Sequence, residues 1–254
     1  MESGALTSHI DVAQVTLYAF WAFFVGLVWY LRQEDRREGY PLEADVSGEY
    51  SKDPWLFLPQ PKTFVLFNNQ GTKTVPDQVR DTRPIAAERL TVAPGSPLVP
   101  TGDPMADSIG PGSYAERLDI VETNPDGSNR IVPLRTTDEF QVVEDDPDPR
   151  GMSVVGCDKQ IAGTVTDLWV DKSDSLIRYL EVQLEGAGTV LLPMPFCVVR
   201  TGHIYVHAVT SEQFAGVPTT ASPDAVSRLE EEKIAAYYGA GQLYATPERQ
   251  EPLL

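Results

Sequence analysis

The chain has 254 residues, with 37 acidic against 20 basic side chains, a formal net charge of -17 and 42% hydrophobic residues. That is enough apolar material to bury a core without disulfides or metals, and so acidic a chain offers little to nucleic-acid phosphates, whose protein affinity comes mainly from Lys and Arg. The two cysteines, Cys157 and Cys197, make neither a disulfide framework nor a four-ligand zinc site, which suits a reducing, cytoplasm-facing compartment.

Residues Val12 to Leu31 read VAQVTLYAFWAFFVGLVWYL, twenty positions without a charge. At about 1.5 Å per residue they span roughly 30 Å, the hydrocarbon thickness of a bilayer. Gln14 and Thr16 lie near one end, and Tyr18, Trp21, Trp29 and Tyr30 suit membrane interfaces. The rivals to a retained transmembrane helix are a cleaved signal peptide and a buried core helix. Residues 1 to 11 carry no Lys or Arg, and no small-residue cleavage pattern follows the apolar run, so the transmembrane helix is expected. Immediately after it comes Arg32-Gln-Glu-Asp-Arg36-Arg37-Glu38, and every basic residue lies on this C-terminal side. The positive-inside rule then puts the N-terminus outside and the large C-terminal part in the cytoplasm. Removing Glu2 and Asp11 from the acids leaves 35 against 20 bases, a net of -15, on that part. Such a charge repels an anionic lipid surface, so a protein partner is expected to hold it in place.

From Gly39 to about Pro149 the chain is dense in Pro and Gly, with short apolar runs at Thr63–Phe67 and Arg130–Leu134. Few helices survive such a composition. Ala93–Pro97, Pro100–Pro104 and Gly110–Ser113 read as extended coil. Two readings fit, a flexible linker or a segment moulded onto a partner. Trp55, Phe57, Phe64, Phe67 and Tyr114 favour the second, being more apolar anchors than a linker normally carries.

From Met152 the pattern becomes β, with strands expected at Thr164–Val170, Ile177–Leu184, Thr189–Leu192, Phe196–Val199 and His203–Val206. The spacers Asp171–Asp174, Glu185–Gly188 and Arg200–Gly202 are turn material, giving a small antiparallel barrel or sandwich. A short turn is expected at Ser211–Ala215, and a helix from Pro223 to about Tyr238, capped by Ser222 and ended by Gly239 and Gly241. The expected fold class is α+β: 1–11 outside the cytoplasm, 12–31 in the membrane, 32–149 extended, and 150–254 a cytoplasmic barrel with a flanking helix and tail.

The sequence has no nucleotide loop, nucleophile elbow, His-rich metal motif or kinase signature. His203 and His207, four apart near a strand, fall on one face and read as half a metal site or, more simply, as surface histidines. Cys157 and Cys197 read as plain buried thiols.

Several ordered motifs belong together: Arg36-Arg-Glu-Gly-Tyr-Pro-Leu42 after one N-terminal span, Pro61-Lys-Thr-Phe64, Pro100-Thr-Gly-Asp-Pro-Met105 and Gly163-Thr-Val-Thr-Asp-Leu-Trp-Val-Asp171. Arg178-Tyr-Leu-Glu181, Phe214-Ala-Gly-Val-Pro218, Glu230-Glu-Glu-Lys233 and Tyr244-Ala-Thr-Pro-Glu-Arg249 continue the series. With these motifs the chain resembles the H subunit of the photosynthetic reaction centre of purple bacteria, over nearly its whole length. The resemblance implies a single-pass, non-enzymatic accessory subunit of the photosynthetic inner membrane. It would cap the cytoplasmic face of the pigment-binding L and M subunits, shield the quinone-iron region and help protons reach the reduced secondary quinone. It also implies that this chain binds no cofactor itself. Bacteriochlorophyll, bacteriopheophytin, quinones and non-haem iron would sit on the partner subunits, with a cytochrome subunit, antenna and lipid as further neighbours and no nucleic acid.

By the same resemblance the proton-transfer residues are Asp171 and Asp174 in the turn after Leu168–Val170, Arg178 beside them, Glu231, Glu122 and Asp126. Some family members place an Asp and two histidines where protons enter and inhibitory metals bind. Here those positions are Asn124, Asp126 and Ser128, so Asp126 alone is left to accept protons and no metal is expected. Two other readings remain: a single-pass scaffold whose barrel recruits a soluble protein, and a membrane-tethered enzyme, for which the sequence offers no catalytic constellation.

Overall fold

Asp11 opens the first helix, α1 (Val12–Glu34), through a reciprocal capping box: its carboxylate accepts the Gln14 N–H, and the Gln14 side chain accepts the Asp11 N–H. The computed structural model describes residues 11–51, 58–67, 70–77, 79, 83–186 and 188–250. Trp55 and Phe57, two of the expected apolar anchors, and residues 1–10 lie outside the described residues. The chain forms two units, Met1–Arg83 with Thr91–Ser96, and Pro84–Leu90 with Pro97–Leu254.

In the first unit, α1 extends past the expected end at Leu31 because Arg32 pairs with Asp35 and Arg37 with Glu34, both at helical i,i+3 spacing. No residue of α1 is buried within this chain. Phe20, Phe23, Phe24 and Trp29 therefore present apolar surface that only lipid or a neighbouring helix can cover. The Arg37 guanidinium donates to the carbonyls of Gln60 (2.8 Å) and Val75 (3.1 Å). These flank an antiparallel hairpin of β1 (Lys62–Val65) and β2 (Thr72–Val75), in which Lys62 opposes Val75. Phe64, Val65 and Phe67 of this hairpin remain exposed.

The second unit begins with the hairpin of β3 (Ala87–Arg89) and β4 (Leu98–Pro100), whose second strand fills the gap between the expected coil segments Ala93–Pro97 and Pro100–Pro104 and takes in Pro100 of the latter. Then β5 (Ile131–Pro133), from within the Pro-rich stretch, joins β6 (Ser153–Val155), β7 (Ile161–Asp171), β8 (Leu176–Leu184), β9 (Thr189–Pro193), β10 (Cys197–Arg200) and β11 (His203–Val206) in one seven-stranded sheet. Its order is β10-β11-β6-β7-β8-β9, with β5 on β7. The expected all-antiparallel arrangement needs one correction, since β11 and β6 pair in parallel. The Pro-containing turn Met194–Phe196 passes the chain from β9 into β10 without a hairpin, so β11 returns beside β6 in the same direction.

The core is built from the inward side chains of this sheet, among them Leu168, Trp169, Leu180, Leu192 and Ile204, closed by Phe214, Ile234 and Tyr238. Two register shifts interrupt the β7–β8 ladder, one between Val165 and Asp167 and one between Trp169 and Val170. Alternation accordingly breaks, and the segment Asp167–Asp171 is buried at every position.

The C-terminal helix, α2 (Arg228–Tyr244), starts and ends later than expected. Its cap is Ser227, whose hydroxyl accepts the Glu230 N–H while the Glu230 carboxylate accepts the Ser227 N–H. Ser222 instead closes a turn with Ala225. Gly239 and Gly241 lie inside α2 because they let it approach its neighbours. A Cβ on Gly241 would meet the Ala208 carbonyl oxygen at 2.5 Å, and one on Gly239 would meet that of Pro111 at 3.0 Å.

Candidate functional site

The turn from β7 to β8 gathers most of the sequence-derived site residues. Asp171 ends β7 almost wholly buried, at 1% exposure. Its Oδ1 accepts the backbone N–H of Ser173 (2.9 Å) and of Asp174 (3.1 Å), which fixes the turn. The guanidinium facing it belongs to Arg130, the residue before β5, because Ile131 opposes Asp171 in the ladder. Arg130 is held by its own backbone, whose N–H donates to Glu122 O and whose carbonyl accepts from Lys172 N–H. Its Nε donates to both oxygens of Asp171 (3.1 and 3.0 Å), its Nη2 donates to Asp174 Oδ2 (2.9 Å), and its Nη1 lies 3.5 Å from Glu122 Oε1. One cation thus ties three carboxylates together, and the side chain of Asp174 remains half exposed.

Arg178, expected beside Asp171 and Asp174, is instead paired with Glu231 at 3.9 Å. The cause is the second register shift: Tyr179 opposes Trp169 and Ile177 opposes Val170, leaving Arg178 as an extra residue on β8. The bulge re-aims it, so that Arg178 and its neighbour Tyr179 both reach Glu231. The Tyr179 hydroxyl donates to Glu231 Oε2 at 2.6 Å. Glu231 projects from the first turn of α2, with its side chain only 17% exposed.

Asp126 lies in a neighbouring turn, where its Oδ1 accepts from the N–H (2.9 Å) and hydroxyl (2.7 Å) of Ser128. The Asn124 amide donates to Ser128 Oγ (3.1 Å), and its carbonyl accepts from the Ser173 hydroxyl (2.7 Å). This chain joins Asp126 to the Asp171 turn mechanically. The carboxamide at its centre holds its protons and makes the link a brace.

The environments of the carboxylates push them apart. Burial alone would raise the Asp171 carboxyl, but Arg130 and the backbone N–H groups outweigh it and hold the group below the usual carboxylate range. At Glu231 burial dominates, and the Tyr179 hydroxyl and Arg178 only partly offset it, so its carboxyl is raised. The two therefore contribute to stability with opposite pH dependence. The Asp171 contribution is complete above the ordinary Asp range and is lost as pH falls below that range through the lowered value. The Glu231 contribution is complete below the ordinary Glu value and is lost as pH rises through the raised one. In thermal unfolding of the full chain in detergent, Asp171→Asn is expected to destabilise by about 1–3 kcal/mol at neutral pH and by little in acid. Glu231→Gln is expected to be near neutral in acid and stabilising at alkaline pH.

A second charged group, which no local sequence signal singles out, centres on Arg135. Its guanidinium bridges Asp167 (3.1 Å), Glu181 (2.6 Å) and Asp224 (2.9 Å). Glu181 also accepts the Trp169 Nε1–H at 2.9 Å. With its partners all supplied by the protein, this group braces the sheet against the turn before α2. Cys157 and Cys197 are free and half-buried rather than fully buried, and burial pushes the Cys197 thiol up to about 11. His203 opens β11 opposite Arg200, while His207 lies past the strand end, where its carbonyl accepts from Arg249. Among the described residues, no group of three or more His, Cys, Asp or Glu is placed to hold a metal ion.

Arg130 and Tyr179 are the site residues that sequence reading missed. Arg130 is 41 residues from Asp171 and Tyr179 is 52 from Glu231, and no local pattern announces such pairings. The one available signal was the basic residue directly before a short apolar run, since such a residue lands at the end of whichever strand accepts that run.

The family described as photosynthetic reaction centre, H-chain N-terminal region, matches residues 4–136, more than half of the sequence. The chain belongs to the H-subunit family of the photosynthetic reaction centre. The PRC-barrel domain matches residues 142–213 and covers most of the seven-stranded sheet, which establishes the α+β fold class with its barrel. The family is a structural subunit of the reaction-centre complex, and α1 makes this H-subunit chain a membrane-anchored one. Glu122 and Arg130 fall in the first matched region and Asp171, Asp174 and Arg178 in the second, whereas Glu231 lies beyond both.

Proposed function

We propose that the chain caps the cytoplasmic face of the L and M subunits, shields the quinone-iron region from water and conducts protons toward the reduced secondary quinone. The observation that carries the proton role is a pair of adjoining carboxylate groups. Arg130 holds Glu122, Asp171 and Asp174 around the β7–β8 turn, and Tyr179 and Arg178 on β8 hold Glu231 of α2, which the charges of Glu122 and Arg130 also reach. A doubly reduced quinone needs two protons, and carboxyls whose affinities are spread by their surroundings can collect and pass them on. Asp126, at the surface of the same cluster, is the proposed acceptor from solvent.

The capping role draws on the apolar surface that the chain leaves uncovered. No residue of α1 is buried and the side chains of Phe64, Val65 and Phe67 are exposed, as expected for a subunit whose order depends on a partner. Pigments, quinones and iron belong to the partner subunits in this reading, with cytochrome and antenna proteins as outer neighbours. The N-terminus is periplasmic and the barrel cytoplasmic, since the basic residues all follow the span. The test is flash-induced proton uptake by the intact complex carrying neutral replacements in the cluster. Slower uptake with unaltered pigment absorption is expected, and unchanged uptake from neutral to alkaline pH would reject the role.

A further inference from the structure

We infer that the two halves of the cluster differ in kind: Arg130 is a positioning residue that keeps Asp171 a permanent anion, while Glu231, held by the Tyr179 hydroxyl, is the carboxyl that takes up and releases the proton. The inference rests on the proton-delivery reading and assigns roles within it.

The geometry separates the two acids. Asp171 has both oxygens engaged by the Arg130 Nε, and Oδ1 also accepts two backbone N–H groups. Every donor around it favours the ionised form, and protonation would set the new O–H against them. The backbone bonds of Arg130 to Glu122 and Lys172 anchor the main chain from which its guanidinium reaches Asp171 and Asp174. Glu231 has a single hydrogen bond, from a phenol, and an arginine at the long distance of 3.9 Å. A phenol can donate to the carboxylate and, by rotation of its hydroxyl, accept from the carboxylic acid, so this partner tolerates both states. The charged and titratable groups facing Glu231 are Tyr179 and Arg178 on β8, with Glu122 and Arg130 acting from the segment leading into β5. The cations and the carboxylate among them partly cancel, leaving burial as the main influence. In the proposed step a proton from the water-accessible side binds a Glu231 carboxylate oxygen and later leaves toward the quinone. No bond other than O–H forms or breaks.

The experiment is light-induced infrared difference spectroscopy of the intact complex, following the C=O stretch of protonated carboxyl groups upon quinone reduction. Glu231→Gln is expected to remove a carboxyl signal that Asp171→Asn retains. Arg130→Gln is expected to add a signal, absent again in the Arg130→Gln/Asp171→Asn double variant, and Arg130→Lys is expected to suppress it. A purely structural role of Arg130 would alter assembly without adding that signal. If the signal survives Glu231→Gln and disappears in Asp171→Asn, the assignment is overturned while the proton-delivery reading stands. If neither variant changes the signal or the rate of proton uptake, both fall. Should the Asp171 variant fail to assemble, Glu231→Gln decides alone, with loss of the signal supporting the assignment and its persistence rejecting it.

Discussion

Trp169→Ala is expected to destabilise the barrel unit by about 3–5 kcal/mol, the range for deleting a fully buried aromatic side chain. Trp169 is the largest of the fully buried side chains, at 1% exposure, and lies opposite Tyr179 on the neighbouring strand. The loss would consume much of the about 5–15 kcal/mol that separates a typical domain from its unfolded state. It also removes the indole donor from Glu181, while Arg135 and Thr166 still hold that carboxylate. Trp169→Phe keeps most of the volume and loses chiefly the hydrogen bond, so a smaller cost of about 1–2 kcal/mol is expected. Urea unfolding of the full chain in detergent, followed by far-ultraviolet circular dichroism, measures both. Equal costs for the two variants would show that the hydrogen bond, and not the packing, is what Trp169 supplies. Because Tyr179 packs opposite Trp169 and also holds Glu231, the alanine variant should disturb proton uptake as well, through the position of the phenol.

The second large effect is kinetic. In the intact complex, Glu231→Gln is expected to slow the proton uptake coupled to the second electron transfer by roughly tenfold. A positioned proton-transfer group typically contributes about a hundredfold or more, and the partly exposed Asp174 and Glu122 carry part of the flow. The pH dependence identifies the group. A carboxyl raised by burial holds its proton into a higher pH range than an exposed acid, so the rate in the unaltered complex should fall as pH rises through that raised value. Glu231→Gln should remove this step and leave a slower, flatter profile. Stopped-flow or flash-induced uptake with a pH-indicator dye gives the profile directly. A variant that keeps both the rate and the step would take Glu231 out of the route.

Much of the fold was legible because its signals are local. The twenty uncharged residues from Val12 show the helix, and alternation with turn residues at Asp171–Asp174 and Arg200–Gly202 locates β7, β8, β10 and β11 to within a few residues. Local signals also explain the errors. Ser222 and Ser227 are both good caps, and only the reciprocal Glu230 contact selects the second. Gly239 and Gly241 look like a helix terminator, but close approach to Pro111 and Ala208, far away in sequence, requires them inside α2. The site divides in the same way. Its acids fall in recognisable motifs, while the partner of each acid is set by strand register. One unpaired residue on β8 moved Arg178 from Asp174 to Glu231, and the pairing of β5 with β7 put Arg130 in the position left for it.

Whether the chain works as part of a reaction centre is tested most directly by the near-infrared absorption of what copurifies with a tagged full-length version after mild detergent extraction of its native membranes. The expected result is a set of bacteriochlorophyll bands that bleach reversibly under illumination, in fixed proportion to the tagged chain. A colourless preparation containing the intact chain and a soluble protein partner would contradict the account.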